Sequence, residues 1–129
     1  MPTTAKALTV GILGASPKPE RYAYMAMRML EDYGHPIVLV SPRTDSIEGR
    51  PVYPRLADVP ITLQPLDTLT IYVGATISSA LSGEILAAKP RRVIFNPGAE
   101  NPALDTTLVT AGIEVVNGCT LVLLRTGQF

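Results

Sequence analysis

The 129-residue chain has one cysteine, one histidine, no excess of either charge and no long apolar run. Each shortage closes a class of function. A single Cys rules out an intrachain disulfide and suits a reducing compartment. Cys119 and His35 alone cannot build a zinc site of Cys and His ligands within one chain, so no metal site is expected. Eleven basic residues balance eleven acidic ones, which argues against a protein that grips nucleic acid by neutralising phosphates. No stretch approaches the roughly 20 apolar residues needed to span a bilayer. Residues 1–6 have no apolar signal-peptide core behind them, because Gly11, Gly14 and Pro17 interrupt the next stretch. A cytoplasmic protein without membrane or nucleic-acid partners is the expectation. Charged residues make up only 17% against 47% apolar, a balance that excludes a disordered chain. The length fits a single domain over residues 1–129 with a core that needs no staple.

What the chain does have is proline and glycine, 12 and 10 residues, and their positions follow a pattern. Five short apolar runs, at residues 8–13, 36–40, 69–73, 92–95 and 113–116, read as strands. Between the first two, Tyr22, Met25, Ala26, Met29, Leu30 and Tyr33 recur at helical spacing, and Tyr22, Met25 and Met29 read as the helix core. Gly34 and Pro36 end that helix. Ser78 or Ser79 is expected to cap a helix running to Ala88. Asn101 is expected to cap another, with Pro102 in its first position and Gly112 beyond its end. Residues 47–51 read as a turn and 55–58 as one helical turn. His35 reads as a surface turn residue. The apolar segment 120–129 is read either as packing on its own sheet or as a dimer contact.

Continuous apolar strands separated by helices imply an α/β fold: a doubly wound parallel sheet of about five strands, helices on both faces, strand order 3-2-1-4-5. Ligands of such sheets bind beyond the carboxyl ends of the strands, where the order reverses. Gly14, Pro17, Pro19, Pro42, Gly74, Pro97, Gly98 and Gly118 all follow strand ends. They fall on the ligand-facing edge.

The first such loop, Gly14-Ala15-Ser16-Pro17-Lys18-Pro19-Glu20-Arg21-Tyr22, joins a tight turn to a hydroxyl and two cations at a helix start. Free helix N–H groups and the dipole favour an anion there, and a pyrophosphate suits the set. A plain βα turn with two solvated cations is the other reading, and the spacing is not G-x-G-x-x-G. The second loop, Ser41-Pro42-Arg43, lacks the acidic residue that an NAD site places at this strand end. Arg43 favours a phosphate on the ribose, hence NADP or coenzyme A; an ordinary turn with an exposed Arg fits equally.

Five segments then occur in order over nearly the whole chain. They are Gly14-Ala-Ser-Pro-Lys-Pro-Glu-Arg-Tyr22; Val40-Ser-Pro42; Ile47-Glu-Gly-Arg-Pro-Val-Tyr53 with Leu56-Ala-Asp-Val-Pro60; Ile94-Phe-Asn-Pro-Gly-Ala-Glu-Asn101; and Asn117-Gly-Cys-Thr120 leading into Leu124. In this combination the sequence resembles the small stand-alone CoA-binding proteins. Their Rossmann-like module is similar to the CoA-binding domain of the succinyl-CoA synthetase α subunit.

The resemblance implies coenzyme A or an acyl-CoA as ligand. Ser16, Lys18 and Arg21, with Gly14, Ala15 and Tyr22 around them, would wrap its pyrophosphate. Ser41, Pro42 and Arg43 would lie near the adenosine and its 3′-phosphate. Gly74, Ala75 and Thr76 would line the adenine or pantetheine path, with Asn96, Pro97, Gly98 and Cys119 further along the sheet edge. The synthetase's phosphorylated His has no counterpart, since His35 sits at the opposite end, and binding without catalysis is expected. Asp67, Glu84, Glu100 and Glu114 are scattered and make no acid/base pair. Cys119 is read either as a small buried residue or as a thiol that meets the ligand's sulfur. An NADP-linked oxidoreductase or the nucleotide-binding subunit of a larger enzyme is the alternative, and a homodimer or a partner enzyme subunit is the expected company.

Overall fold

A computed structural model describes residues 7–129; the reading of residues 1–6 falls outside them. The chain alternates strand and helix: β1 (Val10–Leu13), α1 (Tyr22–Asp32), β2 (Ile37–Val40), a hairpin of β3 (Ser46–Ile47) and β4 (Arg50–Tyr53), and β5 (Thr68–Ile71). It continues with α2 (Ala75–Ala80), α3 (Ser82–Ala88), β6 (Arg92–Phe95), α4 (Pro102–Thr110), β7 (Glu114–Asn117) and α5 (Thr120–Arg125). Two short 3-10 turns, Leu56–Asp58 and Ile61–Leu63, bridge β4 and β5.

One seven-stranded sheet runs β3-β4-β2-β1-β5-β6-β7, parallel except for β3 against β4. Both the strand count and the order correct the sequence reading of five strands in the order 3-2-1-4-5. The missed third parallel strand is β4, so Thr68–Ile71 is the fourth and lies on the other side of β1. Counted in chain order, the six parallel strands run 3-2-1-4-5-6. The strand β4 escaped because Arg50-Pro51-Val52-Tyr53 buries only Val52 and carries a proline, an edge-type pattern with no apolar run.

Register aligns the carboxyl ends of the central strands. Leu13 lies beside Val40 on one side and Ile71 on the other, so three strands end level and their loops leave together. Each central strand is buried on both faces, as a parallel sheet requires. On one face Leu13, Val40, Ile71 and Phe95 pack under α3 and α4 through Ile85, Leu104 and Leu108. On the other, Val10, Ile12 and Leu39 pack under α1 and α5. Burying each such side chain contributes roughly 1.5–3 kcal/mol.

Several helix expectations are revised. The buried face of α1 is Ala23, Tyr24, Ala26, Met27 and Leu30, whereas Tyr22 and Met25 are exposed. The helix is apolar on two faces: of the residues at the expected spacing, Ala26 and Leu30 are buried and Met29 partly so, whereas Tyr22, Met25 and Tyr33 face outward. The helix expected to start at Ser78 or Ser79 starts at Ala75 behind Gly74, then breaks at Leu81. Ser78 is instead a buried tie, its Oγ accepting from Asn101 Nδ2 at 2.8 Å. Asn101 does cap α4, with Oδ1 accepting from the Leu104 amide at 3.1 Å and Pro102 next in line. The segment 120–129 begins with α5 (Thr120–Arg125), whose Leu121 and Leu124 pack on its own sheet. His35 is half-buried: its Nδ1 accepts from the Leu8 amide at 3.1 Å, and its ring lies 5.2 Å from that of Phe129.

Candidate functional site

The loop after β1 turns on Gly14, whose φ of +96° suits glycine. A Cβ there would also sit 3.0 Å from Val73 Cγ1 and 3.4 Å from the Tyr72 backbone. The Gly14 and Ala15 amides both donate to the Val40 carbonyl, at 2.9 and 3.2 Å. That clasps the first loop to the end of β2 and removes these two amides from the pool available to an anion. Donors begin at Ser16, whose Oγ accepts from the Lys18 amide at 3.2 Å and leaves its own O–H free to donate. Next comes the start of α1, where Arg21 takes the cap position without any side-chain cap on the first amides. Lys18, Arg21 and Tyr22 are exposed around it.

The loop after β2 repeats this local design. Ser41 is buried, its amide donates to the Tyr53 carbonyl at 2.9 Å, and its Oγ accepts from the Arg43 amide at 3.2 Å. Ser-Pro-Lys in one loop and Ser-Pro-Arg in the other therefore close the same hydroxyl-to-amide turn and push a cation outward. Ser41, Pro42 and Arg43 line an open groove of about 480 Å³, completed by Thr44, Asp45, Val52 and Pro54. Sequence reasoning missed Thr44, Val52 and Pro54 as groove walls because it missed the hairpin that carries them. The signal was Glu48-Gly49, two consecutive residues at φ 51° and 83° between β3 and β4.

The structure brings the third loop alongside these two. The Tyr72 amide donates to the Leu13 carbonyl at 2.9 Å, and Gly74, Ala75 and Thr76 follow, exposed, at the start of α2. The site therefore straddles β1 and β5, where strand order reverses.

The remaining expected residues lie further along. Pro97 and Gly98 are exposed beyond β6, with the Gly98 amide donating to Glu100 Oε1 at 2.9 Å. Asn96 is only 2% exposed and its polar atoms face inward. Its Nδ2 donates to Thr70 Oγ1 at 2.6 Å and to the Ile71 carbonyl at 3.0 Å; its Oδ1 accepts from the Thr120 amide at 2.9 Å. Asn96 is thus a brace joining β5, β6 and α5 rather than a group presented to a ligand. Cys119 is half-buried at the cap position of α5, against the apolar layer under α1. Beside it the Tyr72 hydroxyl lies near the Thr70 and Thr120 hydroxyls without bonding to either, and burial pushes its pKa up to about 12.

Ion pairing distinguishes this edge from part of the surface, although the exposed Lys89 and Arg125 elsewhere also make no ion pair among the described residues. Arg50 is held by Glu31, Arg55 by Glu84, and Arg91 by Asp67 and Glu114. Lys18, Arg21 and Arg43 make no ion pair among the described residues. No cluster of three His, Cys, Asp or Glu side chains suited to a metal occurs among the described residues, and no helix there is long and apolar enough to cross a membrane.

The family model for the CoA binding domain matches residues 8–125. The chain belongs to that family. Among solved structures, this CoA binding domain is similar to an uncharacterized protein at 37% identity and a TM-score of 0.90, covering 97% of this chain and 100% of the other. It is also similar to a protein of Thermus thermophilus at 28% identity and a TM-score of 0.85, covering 95% and 91%. A third match is to the dinucleotide-forming acetyl-coenzyme A synthetase 1 of Ca. Korarchaeum cryptofilum, in complex with phosphate and ADP. There identity is 21% and the TM-score 0.69, over 85% of this chain and 25% of the synthetase. That likeness is one of fold.

Proposed function

We propose that this CoA binding domain holds coenzyme A or an acyl-CoA across the carboxyl ends of β1, β2 and β5, as a binding module. The observation that carries the reading is the set of three exposed cations that make no ion pair among the described residues, Lys18 and Arg21 after β1 and Arg43 after β2, on the carboxyl-end loops beside the switch point of the sheet. The Ser16 hydroxyl, Lys18, Arg21 and the first amides of α1 take the pyrophosphate. Tyr22 stands at the rim. The groove of Ser41, Pro42 and Arg43 takes the adenosine, with Arg43 on the 3′-phosphate. Gly74, Ala75 and Thr76 border the path that leads on towards Pro97, Gly98 and Cys119. Gly14 and Ala15 shape the loop without donating from their amides. Asn96 positions α5 and does not touch the ligand.

Calorimetry with CoA and dephospho-CoA tests the assignment, because the two ligands differ only in the 3′-phosphate. Lys18→Ala or Arg21→Ala weakens both ligands about tenfold, the size of a charge-assisted hydrogen bond of about 1.5 kcal/mol. Arg43→Ala weakens CoA about tenfold and leaves dephospho-CoA unchanged. Equal losses on both ligands for Arg43→Ala would remove the 3′-phosphate from the groove. A thermal shift with NADPH and none with CoA would replace the reading by the NADP one.

A further inference from the structure

The helix α1 carries more apolar surface than the fold absorbs. One face, Ala23, Tyr24, Ala26, Met27 and Leu30, is buried on the sheet. A second stripe, Tyr22, Met25, Met29 and Tyr33, follows at spacings of three, four and four residues. Tyr22 is 68% exposed, Met25 37% and Tyr33 52%, with Met29 partly covered between them. A helix with two apolar faces and only one of them seated has an unpartnered face. The stripe leaves on the order of 350 Å² of apolar side chain in the open, within the range that marks an interaction patch.

The charges beside the stripe identify what covers it. Arg21, the cap residue, adjoins its first residue and Asp32, the last residue of the helix, adjoins Tyr33 at its other end. Neither makes an ion pair among the described residues. Arg28, the one charge near the middle, is turned to the hairpin, where its Nη1 donates to the Tyr24 hydroxyl at 3.1 Å and lies 3.7 Å from Glu48. The stripe is therefore unobstructed at its centre, basic at one end and acidic at the other. Such a surface is complementary to itself when reversed.

We propose that α1 is the contact of a two-fold homodimer, packing antiparallel against α1 of a second copy. About an axis near Met27, Met25 of each copy meets Met29 of the other. Tyr22 lies next to the far tyrosine, and Arg21 comes within reach of the opposite Asp32. A two-fold contact brings the same patch of both copies together, which this end-to-end charge reversal satisfies and a like-charged helix would not. The apolar stripe supplies most of the contact energy, and the rim pairs set direction and register.

Sedimentation of the full chain over a wide concentration range tests this, run without nucleotide because the proposed function sets the same Arg21 on the pyrophosphate, so ligand and dimer compete for it. The wild-type protein dimerises reversibly. Met25→Asp sets a carboxylate against the apolar centre and weakens the dimer at least about tenfold. Asp32→Arg weakens it about fivefold by facing Arg21 with a like charge, and adding Arg21→Asp to that variant restores it to within about twofold. The restored pair also separates a contact effect from a folding defect, since a misfolded single variant would not recover. A protein that stays monomeric throughout overturns the inference. So does a dimer indifferent to Met25→Asp, or a charge reversal that gives no recovery.

Discussion

The two ends of the sheet each hold an open groove, and their cations are engaged to different degrees. At the carboxyl end, Lys18, Arg21 and Arg43 stand in solvent without acidic partners. At the amino end, a groove of about 330 Å³ is lined by Asp67, Lys89 and Arg91 among others. There Arg91 donates from Nε to Asp67 at 2.8 Å and from Nη1 to Glu114 at 3.1 Å, whereas Lys89 makes no ion pair among the described residues. Next to it Arg92 is 5% exposed, donates to Thr68 Oγ1 at 3.1 Å, and lies 4.4 Å over the Phe129 ring. A groove by itself therefore says little here. What differs between the two ends is how far their charges are engaged within the protein: Arg91 is paired, while Lys18, Arg21 and Arg43 make no ion pair among the described residues.

That distinction can be broken, and the largest effect belongs to Asn96, an engaged group on the ligand-facing end. Asn96→Ala removes three buried hydrogen bonds and leaves the Thr120 amide without its acceptor. Chemical denaturation is expected to show a loss of about 2–4 kcal/mol. CoA affinity, measured where the variant is folded, stays within about twofold of wild type, well below one lost hydrogen bond. A selective loss of affinity would instead place Asn96 on the ligand.

A smaller effect sharpens the contrast from the amino end. Arg91→Ala frees the Asp67 carboxylate and lowers stability by about 1 kcal/mol, the scale of a partly exposed, bidentate pair. CoA binding is unaffected, the reverse of Arg43→Ala. Calorimetry and denaturation of the two variants side by side give the crossing pattern.

The smallest effect is a pH dependence. Burial, with the Arg92 charge next, holds the His35 pKa below its ordinary 6.5, while Asp67 acts the other way. Below 6.5 the unfolded chain binds the proton more readily than the folded one. The contribution of neutral His35 is therefore complete above 6.5 and declines as pH falls from there to the depressed folded value. Denaturation at about pH 7.5 and about pH 5.5 should show a loss in wild type that is reduced in His35→Gln. An identical loss in both would assign the pH dependence to the carboxylates.

Much of this architecture was legible in sequence, for identifiable reasons. Strands buried on both faces write themselves as apolar runs, so β1, β2, β5 and β6 were readable from composition alone. Asn101-Pro102 announced the start of α4 because a side-chain cap and a fixed φ are local properties. The hairpin β3–β4 was not readable, since β3 is a two-residue edge strand and β4 beside it buries one residue and carries a proline. Nor was α5, where Thr120-Leu-Val-Leu-Leu-Arg125 is too short to separate a helical from an extended period. The face of α1 was undecidable because both candidate faces are apolar. At the site, the residue types of loops one and two pointed to an anion, but which polar atoms are already occupied is a tertiary property. Gly14, Ala15 and Asn96 show it: the amides of the first two close on Val40, and the side chain of the third closes on α5.

The Asn96 brace also has a consequence in time. A six-residue helix near the end of a chain ordinarily frays on its own, exchanging its amide protons quickly. Here the first amide of α5 is bonded to a strand two positions from β1, and Thr120 Oγ1 is 2.8 Å from Thr70 Oγ1 in the middle of the sheet. The start of α5 cannot open without disturbing β5 and β6. The Thr120 amide is therefore expected to exchange on the clock of the central sheet rather than with a fraying helix end.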